Sequence, residues 1–584
     1  MSAPPADRPR TSATGPATPE PVAPRVSRGK SIEPRVFWPA TGIIGVFALL
    51  ALVFPGTTAE AMSSVQGVVL DGFGWYYVLL IAAFVAFSAF VAFSRYGDLR
   101  LGRDDEAPEF GLRSWFAMLF SAGMGIGLVF WGVAEPLNHF AAPRPGFDGT
   151  QTQAAAQAIT TTYLHWGVHA WAIYVVVGLA IAYAVHRKGR PISIRWALEP
   201  LVGERVARGV FGDVIDVIAV VGTLFGVATS LGFGVLQLSA GLDFLGVPAD
   251  TPLWQTVLIA AITGLAVLSV VTGVAKGIRI LSNVNMVLAA VVLLFVLLAG
   301  PTLFLLREFV ASIGLYAANV LRLTFDTSPL QGAEGQAWQA AWTTFYWGWW
   351  MSWAPFVGVF IARISRGRTI REFVVGVLAV PTLLTFLWFS VLGGTALYRE
   401  LFGDGGLVGA DGAVDTNTSL FLMLDGLPLG GIVSVIALVL IVTFFVTSSD
   451  SGSLVVDMLA SGGNTNPPAW SRVMWAVLEG VVAAALLIVG AVTGATSGLS
   501  ALQTTAIVIA LPFSFVMIMM MVATLKALRE EWAEVDRHRR RRRTKRLAAD
   551  VAAELSDDGP SPDEHPGSVA RGARTPAGTG PREV

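Results

Sequence analysis

Stretches of roughly 20 apolar residues recur through most of this 584-residue chain, each long enough to cross the hydrocarbon of a bilayer as a helix. About twelve can be marked, near 37–54, 72–94, 115–135, 158–185, 214–240, 254–273, 283–306, 339–362, 373–397, 428–449, 471–493 and 500–526. With 54% hydrophobic and only 14% charged residues, a water-soluble fold of this length is excluded. The chain reads as an all-α polytopic membrane protein, because only helices or closed barrels satisfy the backbone in lipid.

Cations sort by loop. Arg95, Arg100, Arg103 and Arg113 follow the second span, and Arg187, Lys188, Arg190 and Arg195 the fourth. Lys276 and Arg279 follow the sixth; Arg363, Arg366, Arg368 and Arg371 follow the eighth. The positive-inside rule therefore puts even-numbered exits and both termini in the cytoplasm, as a multi-pass protein of the cell membrane. The chain has no cysteine, which excludes disulfides, thiolate catalysis and Cys-ligated metals. Residues 1–34 lack the apolar core of a signal peptide and read as a disordered cytoplasmic tail.

Three spans break the rule that lipid-embedded helices are uniformly apolar. The third, FAMLFSAGMGIGLVFWGVAEP, carries Gly123, Gly125 and Gly127 at alternate positions. Such spacing either unwinds the helix and frees carbonyls for a ligand, or lets a neighbouring helix approach closely. The tenth ends in TFFVTSSDSGS, whose hydroxyls either offer oxygens to a hard cation or bond back to their own helix. The eighth holds WTTFYWGWWMSWAPF at 342–356, five tryptophans in fifteen residues. These are either an interfacial belt or a cage for a quaternary ammonium group, which donates no hydrogen bond and is best held by ring faces. The fourth span adds HWGVHAWAIY, with His165 and His169 four apart; the other histidines are too scattered to complete a metal centre.

AGMGIGLVFWGVAEP at 122–136, HWGVHAWAIY at 165–174, TTFYWGWWMSW at 343–353, FIARISRGRTIREF at 360–373 and TSSDSGSLVVDML at 447–459 together resemble the betaine/choline/carnitine transporter family, and most closely its sodium-coupled glycine betaine symporters. The resemblance implies a leucine-transporter-like core. Two helices at 35–110 precede a first five-helix repeat at 111–307; an amphipathic surface helix and loop at 308–338 lead to a second, inverted repeat at 339–528, and a basic cytoplasmic helix and disordered tail occupy 529–584. It implies a homotrimer whose contacts use the surface helix, where Phe309, Ile313, Tyr316 and Val320 form an apolar stripe.

Carried over by position, the family's aromatic box falls on Trp166, Trp171, Tyr174 and Trp350, with Trp349 and Trp353 lining the route or alternate substrate poses and the backbone at Gly123, Gly125 and Gly127 meeting the substrate carboxylate. The main sodium site falls on carbonyls of Ser121, Met124 and Phe444 and hydroxyls of Thr447 and Ser448. A second sodium site would use Thr223 and Phe356, but its third position is Val227, which has no oxygen, so that site is in doubt. Choline-type members have an aspartate where this chain has Gly127, so a zwitterion is favoured. The implied function is import of a quaternary-ammonium osmoprotectant, glycine betaine first, by sodium symport. Other onium or ectoine-like zwitterions and sodium-independent exchange are the alternatives. A membrane enzyme would need convergent acid, base or metal groups, and a channel a repeated filter. No cofactor beyond the coupling ion and no nucleic-acid partner is implied. The basic run KALREEWAEVDRHRRRRRTKRLAADVAAEL reads equally as an anchor on anionic lipid or as an osmotic sensor.

Overall fold

The computed structural model describes residues 32–123, 125–272, 275–492 and 498–557. Described residues up to Leu528 form one unit and those from Arg529 a second. Among the described residues the chain is helical, and the sole extended pairing is an isolated bridge between Arg100 and Thr369. Its main helices are α1 (Pro34–Val53), α2 (Pro55–Phe93), α3 (Leu112–Gly123), α4 (Ile126–Ala141), α5 (Gln151–Trp166), α6 (Val168–Ala182) and α7 (Val210–Phe244). There follow α8 (Pro252–Thr272), α9 (Ala275–Ala299), α10 (Thr302–Thr324), α11 (Phe345–Ile364), α12 (Ile370–Phe402), α13 (Gly430–Ala460), α14 (Ala469–Val492) and α15 (Leu499–Asp557).

Eleven helices among the described residues are long and apolar enough to span a bilayer. Two expected spans fall outside that set for opposite reasons. The third is divided into α3 and α4, neither long enough alone, and the eighth, α11, is continuous but carries polar and aromatic residues in place of aliphatic ones. The segment expected to be a short surface helix from 308 is instead an unbroken helix beginning at Thr302, because Gly300 and Pro301 end α9 early.

Its stripe is also corrected: Tyr316 is buried, and Phe309, Ile313 and Val320 are half-buried. Tyr316 packs at 5.2 Å from Phe386 of α12 and 6.2 Å from Tyr163 of α5. The stripe therefore faces the bundle. Leu303, Leu306, Val310, Leu315 and Leu321 are the large apolar residues of this helix left outward.

The core is built around α11, which packs chiefly on α6 and α7, while α7 also runs against α13 and α14. Small residues permit this. A Cβ at Gly358 of α11 would lie 2.5 Å from Val177 Cγ1, and one at Gly178 of α6 2.5 Å from Ile361 Cδ1. The glycines let the two helices touch along their backbones, which is how helices associate where no hydrophobic force distinguishes neighbour from lipid.

The basic loops after the second and eighth spans are clasped together. Leu101 N–H donates to Arg368 O at 2.8 Å and Gly367 N–H to Leu101 O at 2.7 Å. Arg366 pairs with Glu106 at 2.6 Å and Arg371 with Asp98 at 2.7 Å. The two arginine-rich loops thus lie on one face of the molecule, held by backbone bonds and these ion pairs.

Candidate functional site: an aromatic cavity

Two breaks in the helices shape the site. Between α3 and α4, Gly125 is fully extended (φ −156°, ψ −173°) and starts α4 without a side-chain cap. Leu128 N–H bonds back to Gly125 O at 3.2 Å, and this helix start lies at the break. Between α5 and α6, Gly167 interrupts the fourth span directly after Trp166, and a Cβ there would meet Tyr163 O at 2.5 Å and Phe386 at 2.7 Å. That close approach requires glycine. Trp166, Ala170 and Tyr174, spaced four apart, reach the same space across the break, and Trp171 joins them there.

Trp166, Ala170, Trp171, Tyr174, Trp350, Trp353 and Thr385 line one cavity. Five of its seven residues are aromatic, and no carboxylate is among them. Trp166 meets Trp350 edge to face at 4.8 Å and 72°, and Trp171 meets Tyr174 similarly at 5.4 Å and 76°. The indole N–H groups of Trp166, Trp350 and Trp353 have partners in the protein. Trp350 Nε1 donates to His165 O at 2.8 Å and Trp353 Nε1 to Gly226 O at 2.7 Å. Polar edges are thereby anchored in the surrounding helices, which fixes the rings.

The box residues expected from sequence, Trp166, Trp171, Tyr174 and Trp350, are brought together, and Trp353 joins them. Trp349 does not line the cavity. It stacks beneath Trp350 at 4.6 Å and 16°, is 1% exposed, and donates from Nε1 to Ser230 Oγ at 3.2 Å. Gly127 lies under it: a Cβ would come within 2.4 Å of Trp349 Cη2 and 3.2 Å of Trp166 Cη2. Gly125 faces Trp353 at the cavity edge, its Cβ position 3.7 Å from Cη2. Gly123 closes α3.

The sodium positions divide differently. Phe444, Thr447 and Ser448 share one turn of α13, which continues regularly to Ala460. Thr447 Oγ1 donates to Thr443 O at 2.9 Å and Phe444 O at 3.1 Å, and accepts from Asn285 Nδ2 of α9 at 2.9 Å. Back-bonding to the helix is thus present for Thr447. Asn285 is an additional polar neighbour that sequence reading missed. Met124, and the side chain of Ser121, lie outside the described residues. At the second position Thr223 is buried and donates to Ala219 O at 2.7 Å, while Phe356 is half-buried beside Trp353.

The histidines do not pair with each other. His169 Nε2 is 2.8 Å from Thr324 Oγ1, whereas His165 turns to Glu135 at 2.7 Å and Thr343 at 3.1 Å. The expectation that the other histidines are too scattered to join His165 is corrected for His139: one helical turn after Glu135 on α4, it comes beside His165, and the potential ligand atoms of Glu135, His139 and His165 lie within 4.8 Å of one another. Trp166 Nε1, at 2.6 Å, and the Tyr346 hydroxyl also donate to Glu135, so the carboxylate is a hydrogen-bonded hub behind the cage. Sequence reading gave Glu135 no role, although a glutamate inside the third span was a visible signal.

A family profile described as "BCCT, betaine/carnitine/choline family transporter" matches residues 35–533. The chain belongs to this family. It is 53% identical over 510 residues to an uncharacterised transporter of Mycobacterium tuberculosis, covering 87% of this chain and 84% of that protein. It is 46% identical over 501 residues to the glycine betaine transporter OpuD of Bacillus subtilis, covering 86% and 95%. A glycine betaine transporter of Acinetobacter baylyi is 42% identical over 504 residues, covering 86% and 74%. The family and these relatives are transporters, so the aromatic cavity belongs to a chain of a transporter family.

Proposed function

We propose that the chain imports glycine betaine across the cell membrane by symport with sodium. The observation that carries this reading is the cavity itself: five aromatic residues around a space with no carboxylate in its wall. A trimethylammonium group in such a space is attracted by each well-oriented ring face, at about 2 kcal/mol or more where water is excluded. The start of α4 at Gly125, beside Trp353, offers the positive end of a helix dipole to the substrate carboxylate. A zwitterion with a cationic head and an anionic tail matches both ends. Sodium would be held by Phe444, Thr447 and Ser448 with the segment around Ser121 and Met124. The second sodium position has Val227 where the family has an oxygen, which favours the first site as the coupling site.

Counterflow in proteoliposomes tests the reading. Labelled glycine betaine should exchange in, with a sodium requirement for uphill uptake, while choline should compete poorly. Preferential counterflow of another onium or ectoine-like zwitterion would reassign the substrate, and sodium-indifferent exchange would overturn symport. For the oligomer, a homotrimer formed through α10 would use the outward face of Leu303, Leu306, Val310 and Leu321 rather than the inward stripe.

A further inference from the structure

Glu135 lies in α4, is wholly buried, and does not line the cavity. Two aromatic donors and two histidine nitrogens converge on its two oxygens. Trp166 Nε1 lies 2.6 Å from Oε2, and because an indole nitrogen can only donate, the direction of this bond is fixed. The Tyr346 hydroxyl donates to the same oxygen. His165 Nδ1 is 2.7 Å from Oε1, and His139 Nε2 is 3.4 Å from it. Among the described residues, these two histidines are its only ion-pairing neighbours, and no Lys or Arg pairs with it.

The two aromatic donors are part of the cage or directly behind it. Trp166 lines the cavity; Tyr346 stacks beneath Trp350 at 5.9 Å and 27° and meets Trp166 at 5.6 Å. Each presents its polar edge to Glu135. A hydrogen bond from an indole N–H or a phenol O–H to a carboxylate is charge-assisted, and it polarises the donor so that its ring becomes more electron-rich. The ring face is the part that meets an onium head.

We infer that Glu135 determines specificity for the charge of the substrate head: it fixes Trp166 and Tyr346, and through their N–H and O–H it lends negative potential to the cage. The cavity then selects a cationic head without a carboxylate in its wall, where direct contact would favour a net cation over a zwitterion. This rests on the betaine reading above. For scale, a unit charge on the order of 10 Å from a cation, at an effective dielectric of about 20, changes affinity by on the order of tenfold.

The alternative is that Glu135 only ties α4, α5 and α11 together, and a pair of isosteric probes separates the two. Glycine betaine and 3,3-dimethylbutanoate share a shape, but the second carries a tert-butyl group in place of trimethylammonium and has no positive charge. Each displaces labelled glycine betaine from the full-length carrier in proteoliposomes, and the ratio of their inhibition constants measures charge discrimination. Glu135→Gln should lower that ratio about tenfold or more, chiefly by weakening glycine betaine. Glu135→Asp retains the charge and should keep the ratio within about threefold of the parent, even where both affinities fall. Tyr346→Phe removes one donor and keeps the ring, and should lower the ratio several-fold. If Glu135→Gln weakened both probes equally, the charge assignment would be overturned and the helix tie would stand. If that variant does not elute as a folded carrier, Tyr346→Phe decides, and an unchanged ratio there overturns the inference. A parent carrier that binds no glycine betaine overturns the betaine reading first, and this inference with it.

Discussion

Placing an aspartate at Gly127 should not, by itself, turn this carrier into one for choline. The family resemblance suggests that a carboxylate there admits a net cation, but the surroundings of Gly127 oppose it. The first atom of any side chain would lie 2.4 Å from Trp349 Cη2, well inside contact distance, and 3.2 Å from Trp166 Cη2. Trp349 cannot yield easily. It is 1% exposed, stacked on Trp350 at 4.6 Å, in contact with Phe233 at 5.0 Å, and tied to Ser230. Overpacking of this kind costs about 1–3 kcal/mol, and a displaced Trp349 carries Trp350 with it, so the cage is distorted as well.

Gly127→Asp should therefore lower thermal stability in detergent and weaken glycine betaine counterflow at least tenfold, with little choline counterflow. Combining it with Trp349→Leu makes room for the carboxylate. The double variant should recover stability by about 1 kcal/mol or more relative to Gly127→Asp and gain choline counterflow. The measurements are fluorescence-detected melting and counterflow with labelled choline and glycine betaine. Efficient choline transport by the single variant, with unchanged melting, would refute the steric argument.

Trp350→Ala should abolish glycine betaine binding, read by tryptophan fluorescence titration, and should also cost about 3–5 kcal/mol of stability because the ring is 6% exposed and bonded to His165; Trp350→Phe should restore most of the stability. Replacing Thr447 and Ser448 together by alanine should raise the sodium concentration for half-maximal uptake many-fold, and an unaltered sodium curve would move the ion elsewhere. The Glu106 carboxyl is held below the usual carboxylate range, first by the Arg103 backbone N–H and then by Arg366. A depressed value stabilises the fold above the ordinary carboxylate pKa and is lost as pH falls through the lowered one, so Glu106→Gln should flatten the acid side of the melting profile by no more than about 1 kcal/mol. Truncation after Glu531 should remove the response of uptake to external osmolality if the basic tail is a sensor; an unchanged activation curve at equal carrier density would leave it an anchor.

The fold class was legible because hydrophobic length is a property of composition, and a bilayer turns composition directly into helices. Helix breaks were only partly legible. Three glycines in five residues announced the interruption near Gly125, but a single glycine announced nothing at Gly167, where the cause is tertiary: Phe386 occupies the space a side chain would need. The stripe on α10 shows the opposite failure. Its spacing was read correctly, but in a membrane protein an apolar stripe has two apolar places to go, and periodicity cannot say whether it faces lipid, a neighbour or its own bundle. Tyr316 against Phe386 answers this for the stripe.

The tryptophans illustrate a finer limit. Neighbouring indoles at 349 and 350 are indistinguishable as letters, yet one wall of the cavity is Trp350 while Trp349 is packing beneath it. The difference lies in what each N–H reaches: a hydroxyl on α7 for Trp349 and a carbonyl at the α5 break for Trp350. Glu135 follows the same logic in reverse. A buried carboxylate is costly unless donors surround it, so its presence in an apolar helix required partners, and the polar edges of aromatic residues were the available ones. A cage of rings needs somewhere to direct its N–H and O–H groups, and the acid needs those donors. That mutual requirement explains why a charged residue and a cluster of aromatic ones occur together in a membrane core.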